Sequence, residues 1–140
     1  MSATNNKMEI KIFSDTLQLN EVEKFIQRLF VKHKIKAELF YKVLVCVNEA
    51  VINSIQHGNK FDERKKVIIQ SYTYNNYLFF RIIDEGEGFN FTNLIDPTTV
   101  ENISKETGRG IFIIKNISDD ITFREKGNIV EFKIKINGGS

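Results

Sequence analysis

Cysteine occurs once in the 140 residues, at Cys46, and proline once, at Pro97. A lone cysteine excludes an internal disulfide and gives no sign of an oxidising compartment. Long apolar runs are missing as well. No stretch approaches the ~18 consecutive apolar residues that cross a bilayer, so no membrane-spanning helix is expected. Met1 to Lys7 is polar, with no apolar segment behind a basic start, so a secretory leader is not expected and the chain should be cytoplasmic. An excess of one charge is also absent: 20 Lys and Arg stand against 18 Asp and Glu, for a net +2. These charges are scattered. Without a basic stripe, direct binding to nucleic acid is not expected. Arg64-Lys65-Lys66 is too short to change that reading and suits a solvated loop. There is no internal repeat, no low-complexity tract and no Pro/Gly linker before the small tail Gly138-Gly139-Ser140.

The composition that remains is that of a globular protein, 41% hydrophobic and 27% charged. The length suits one domain, 1–140, with a core spanning about 8–136. Met8, Ile10 and Ile12 alternate with Glu9 and Lys11, which predicts a half-buried strand over Met8 to Phe13. Val22, Phe25, Ile26, Leu29 and Phe30 follow 3/4 spacing and predict an amphipathic helix from Leu17 to about Lys34. A second helix is predicted from about Ala37 to His57. Two strands, Val67 to Tyr74 and Tyr77 to Asp84, meet at the turn-prone pair Asn75-Asn76. Residues 85 to 107 are rich in turn formers, and a connection that long is more often a functional lid than filler. A short helix, Gly110 to Asn116, precedes a hairpin of Ile121 to Arg124 and Ile129 to Ile136. In the last strand Val130, Phe132, Ile134 and Ile136 take the core side. The predicted class is α+β: a two-layer sandwich with a mixed, mostly antiparallel sheet and helices on one face.

The second helix is unusual. At 100° per residue Phe40, Val43, Leu44, Val47, Val51 and Ile55 share a broad arc, while Val45, Cys46 and Ile52 lie near the opposite side. A helix apolar nearly all round should be largely buried. Glu49 and Asn53 sit one turn apart among these residues. Burying an unpaired carboxylate costs several kcal/mol, so Glu49 needs partners. A structural role, such as capping a neighbouring strand, meets that need. So does function: a carboxylate and an amide one turn apart offer oxygen donors that suit Mg²⁺ beside phosphate, and a base next to the ion. On this helix alone the two readings weigh the same.

Two glycine-punctuated turns follow. Asp84-Glu85-Gly86-Glu87-Gly88 ends an apolar strand, and its glycines let backbone approach a ligand closely. Three acidic residues repel phosphate, so Asp84 suits an exocyclic amine such as that of adenine. The bland alternative is an acidic surface turn. Thr107-Gly108-Arg109-Gly110 opens the predicted short helix, where free amides and a guanidinium make an anion site. Arg109 equally suits a plain surface position.

Taken in order, NEAVINSIQHGN, DEGEGFN and TGRGIFIIKNISDDITF resemble the N box and the two G boxes of the GHKL (Bergerat) ATP-binding fold. In the form of its N box and in the short connection between its two G boxes, the chain most resembles the anti-sigma factor serine kinases of bacterial partner switching. The resemblance covers about Met8 to Ile136. It implies ATP and Mg²⁺ as ligands, with Glu49 as general base and Asn53 holding the ion. It implies that Asp84 reads the adenine amino group, that Gly86 and Gly88 shape that pocket, and that Gly108, Arg109 and Gly110 lie against the phosphates. His57 takes at most a supporting role, and residues 89–107 form the lid. The implied partners are a STAS-domain anti-anti-sigma factor, which is phosphorylated on serine, and a sigma factor, which is sequestered. A second copy paired through the sheets is implied too, with the first strand supplying an edge. The competing readings are a nucleotide-gated binding module with weak catalysis, or a purely structural domain whose glycine turns are ordinary loops.

Overall fold

The computed structural model describes residues 6–87 and 105–136. Gly88, most of the expected lid and the Gly138-Gly139-Ser140 tail lie outside those residues. Strand β1 (Met8–Phe13) leads through a 3₁₀ turn into helix α1 (Leu19–His33). Asp15 caps that turn by accepting the Leu17 N–H at 3.0 Å, and Lys34 closes α1 in the left-handed region at φ 54°. Helix α2 (Phe40–Asn53) follows and passes without a break into one π-helical turn, Ser54–Gly58. Then come β2 (Lys66–Tyr74), β3 (Tyr77–Ile83), α3 (Lys105–Ile117), β4 (Asp120–Arg124) and β5 (Ile129–Lys135).

The five strands form one sheet in the order β1-β2-β3-β5-β4. Every pairing is antiparallel, so the expected mixed sheet is wholly antiparallel among the described strands. Asn75 and Asn76, both with positive φ (56° and 70°), make the tight β2–β3 turn. Such a turn twists with its strands, and asparagine tolerates the left-handed region better than most residues. The period-2 pattern sets the register: Ile12 stands opposite Val67, Ile69 opposite Ile82, and Phe80 opposite Phe132. These side chains point to one face and join Val22, Phe25, Ile26 and Leu29 of α1 and Val43, Val47 and Val51 of α2 in a single core. Each such side chain withdrawn from water contributes about 1.5–3 kcal/mol. The opposite face carries Glu9, Gln70, Tyr72, Phe79, Arg81, Glu131 and Lys133, with the Tyr72 and Phe79 rings stacked at 4.8 Å. The helices cover one side only, as the alternation predicts.

Three expectations need correction. Helix α2 is not buried all round: Tyr41 is 75% exposed and Val45 39%. The sheet takes one side of α2 while α1 and α3 flank it, leaving an outward stripe that the composition does not reveal. Helix α3 begins at Lys105, not Gly110, so Thr107-Gly108-Arg109-Gly110 lies inside the helix rather than before it. Residues 105–107 therefore belong to α3 and not to a lid. Cys46 is fully buried, and burial pushes its thiol up to about 12. It acts as a small core hydrophobe. Among the described residues no helix is long and apolar enough to cross a membrane.

Candidate functional site

The site assembles where α2 ends. Glu49 and Asn53 lie one turn apart, both half-buried. Across from them runs α3, and a Cβ on Gly110 would stand 2.9 Å from Glu49 Oε1 and 3.1 Å from Asn53 Nδ2. Those separations are tighter than side chains normally accept. Gly110 is thus what lets α3 come down onto the carboxylate and the amide. From sequence alone the glycines belong at the helix start, offering free amides. In the structure they sit within the first turns, and Gly110 serves by close approach instead. Gly108 is buried, and Arg109 is exposed between them.

The second half of the site begins at Ser54 and reaches across to the end of β3. Asp84 follows the last residue of that strand and is 6% exposed. Its Oδ1 accepts the Gly86 N–H at 2.8 Å, and the Ser54 hydroxyl also hydrogen-bonds the carboxylate. Its backbone is clamped by Asn128. The Asp84 N–H donates to the Asn128 carbonyl at 3.0 Å, and Asn128 Nδ2 donates to the Asp84 carbonyl at 3.0 Å. Gly58, at the end of the π turn, packs onto the carboxylate so closely that a Cβ there would stand 2.7 Å from Asp84 Oδ1. A Cβ on Gly86 would overlap the Gly58 carbonyl oxygen. The π turn and the loop after β3 therefore meet backbone to backbone. His57 lies on that same turn, exposed, one residue before Gly58.

Of the residues expected at the site, Glu49, Asn53 and Gly110 come together, as do Asp84, Gly86 and the end of the first box. The two groups join at the Asn53–Ser54 peptide. Gly88 lies outside the described residues. Ser54, Gly58 and Asn128 are participants to which the sequence pattern assigns no role. Ser54 sits directly after Asn53 within the first box, which is a usable signal; Asn128 is indistinguishable in sequence from an ordinary turn asparagine.

Burial raises the Asp84 carboxyl above the ordinary carboxylate range. The Gly86 N–H, the Ser54 hydroxyl and the charges of Lys65 and Lys126 pull it only part of the way back. As pH rises, the unfolded chain therefore ionises at Asp84 before the native protein does. The group costs no stability below its unfolded value; the cost grows above that point and is complete once pH passes the raised native value. Asp84→Asn is accordingly expected to stabilise the protein at neutral pH and to flatten that part of the pH dependence. Urea unfolding across the acidic-to-neutral range checks this; an unchanged slope with pH would refute it.

An antiparallel sheet covered on one face by helices, with a carboxylate and amide on one helix and a buried aspartate at a strand end, defines an ATPase-type α+β domain. Comparison with known families agrees. Residues 13–134 match the model of the histidine kinase-like ATPase domain, and this chain belongs to that family. It is similar to the serine-protein kinase RsbW of Bacillus cereus, 32% identical over 83 residues, covering 55% of this chain and 51% of that protein. The same-named protein of Listeria innocua is 28% identical over 83 residues, 53% of its length. The chain thus spans about half the length of the curated relatives it matches. Among solved structures, the RsbU and RsbW domains of Rv1364c from Mycobacterium tuberculosis superpose with a TM-score of 0.64 at 9% identity, covering 93% of this chain and 32% of that one. At that identity the likeness speaks for the fold.

Proposed function

We propose that this chain is an ATP-dependent protein-serine kinase and anti-sigma factor of the cytoplasm. It phosphorylates a STAS-domain anti-anti-sigma factor and, when that antagonist is released, holds a sigma factor. One observation carries the reading: Glu49 and Asn53 are brought together beneath the bare α-carbon of Gly110. Holding a nucleotide requires no base, whereas transferring a phosphoryl group to a hydroxyl does. The name serine-protein kinase borne by the relatives supports a protein substrate.

The donor set suits Mg²⁺. An amide and a carboxylate are hard oxygen donors, and Mg²⁺ commonly takes few protein ligands together with phosphate oxygens and water. Among the described residues no three His, Cys, Asp or Glu side chains could cage a metal by themselves. Asn53 would therefore hold the ion jointly with the nucleotide. Bound there, Mg²⁺ supplies neutralisation of phosphate charge.

In the proposed reaction the Asp84 carboxylate accepts a hydrogen bond from the adenine amino group, and Gly58 and Gly86 set the wall beside it. Arg109, exposed on α3, supplies a cation to the phosphates. Glu49 takes the proton of the substrate serine hydroxyl as its oxygen bonds to the γ-phosphorus. The bond from that phosphorus to the β–γ bridging oxygen breaks, and ADP departs. Two copies would pair through their sheets, with β1 supplying an edge.

The test is incubation with Mg²⁺-ATP and a STAS-domain anti-anti-sigma factor, followed by phosphopeptide mass spectrometry. Stoichiometric phosphoserine on the STAS protein is expected. Tight ATP binding with no phosphoserine formed on it would leave a nucleotide-gated binding module in place of the kinase.

A further inference from the structure

We propose that Asn59 is the positioning residue that sets base selectivity, by fixing the loop from which Asp84 reads adenine. The inference rests on the proposed role of Asp84 as acceptor for the adenine amino group.

Asn59 is 1% exposed. Its Oδ1 accepts the N–H of Glu85, the residue after Asp84, at 2.9 Å across 26 positions of sequence. Its Nδ2 donates to Ser14 Oγ at 2.9 Å and to the Lys66 carbonyl at 3.0 Å. Its own N–H donates to the Ser54 carbonyl at 2.7 Å. Both N–H bonds of the side-chain amide donate and its oxygen accepts, and a buried amide held at both ends keeps one geometry firmly. The destinations matter more than the number. Ser54 and Glu85 are the two residues that flank the Asp84 carboxylate, one by its hydroxyl and one by the chain. Asn59 thus ties the Ser54 turn to the peptide that follows Asp84 and fixes the carboxylate between them. The other two bonds anchor Asn59 to the end of β1 and the start of β2, so the reference frame is the sheet itself.

A group held to accept one hydrogen bond rejects an analogue that lacks the donor, because the acceptor is then left unpaired. The test compares ATP with purine riboside triphosphate, which lacks the amino group, by isothermal titration. The wild-type protein is expected to prefer ATP by about 10–100-fold, the effect of one hydrogen bond to a charged acceptor. Asn59→Ala is expected to bind ATP more weakly and to reduce that preference to about threefold or less, while turnover at saturating ATP stays near wild type, since the side chain removed bonds Ser14, Lys66 and Glu85 and neither Glu49 nor Asn53. Asn59→Asp retains an oxygen toward Glu85 and should restore the preference, though not full thermal stability. If Asn59→Ala does not fold, Asn59→Ser carries the same comparison, its hydroxyl being too short to reach Glu85. A folded variant lacking the acceptor that discriminates as well as wild type overturns the assignment to Asn59 and leaves Asp84 untouched. A wild-type protein that binds both nucleotides equally removes the Asp84 reading, and this inference with it.

Discussion

Glu49→Gln is expected to lower phosphoryl transfer by about 10²–10³-fold, toward the low end of what a general base contributes, because the transition state here is loose. Glutamine keeps the shape of glutamate, including the oxygen that faces Gly110, so the packing of α3 onto α2 should survive. What it loses is the capacity to take a proton. Nucleotide affinity should stay within about threefold of wild type, since a group that acts only in the transition state contributes little to ground-state binding. The two halves of the site make this separation possible. Glu49 stands one turn before Asn53, whereas adenine recognition is assigned to Asp84 beyond the π turn. Single-turnover phosphoserine formation measures the first effect and titration with a non-hydrolysable ATP analogue the second. Transfer at the wild-type rate would remove Glu49 from the chemistry.

Gly86→Ala is expected to have the second large effect, on binding. A methyl group there overlaps the Gly58 carbonyl oxygen and would sit 2.9 Å from Asp84 Oδ1. Backbone cannot rotate out of the way as a side chain can, so the loop must separate from the π turn. Overpacking of this kind costs about 1–3 kcal/mol of stability. Displacing Asp84 should weaken ATP binding more than about tenfold, or ~1.4 kcal/mol. Gly58→Ala makes an instructive companion. Its methyl meets the Asp84 carboxylate itself, 2.7 Å from Oδ1, and a side chain gives way more readily than backbone, here by loosening its bonds to Gly86 and Ser54. Stability should fall less, and affinity about as much. Thermal unfolding with and without ATP separates these outcomes; a Gly86→Ala protein with wild-type melting and affinity would mean the contact is not part of the nucleotide site.

Much of this molecule is legible from local pattern. The alternation in Met8–Phe13 and Ile129–Lys135 fixes both the strand state and the buried face, because neighbouring side chains on a strand point oppositely. The 3/4 spacing of Val22, Phe25, Ile26, Leu29 and Phe30 does the same for α1, and all five are buried. Asn75-Asn76 is readable as a turn because asparagine accepts positive φ. Element boundaries are less legible. The start of α3 at Lys105 and the π turn after Asn53 go with contacts to distant segments, α3 with α2 and the π turn with Asp84 and Gly86, which no local propensity records.

By itself, then, the amino-acid order determined the α+β class, the face of each strand and the placing of a carboxylate and an amide one turn apart on α2, since periodicity and side-chain chemistry are local properties. Tertiary structure alone decided that Gly110 rests on Glu49 and Asn53, that Gly58 meets Gly86, and that Asn59 reaches Glu85. Those are contacts between segments far apart in the chain. They exist only once the sheet and its helices have closed together, because a missing Cβ or a buried amide takes its meaning from what lies opposite.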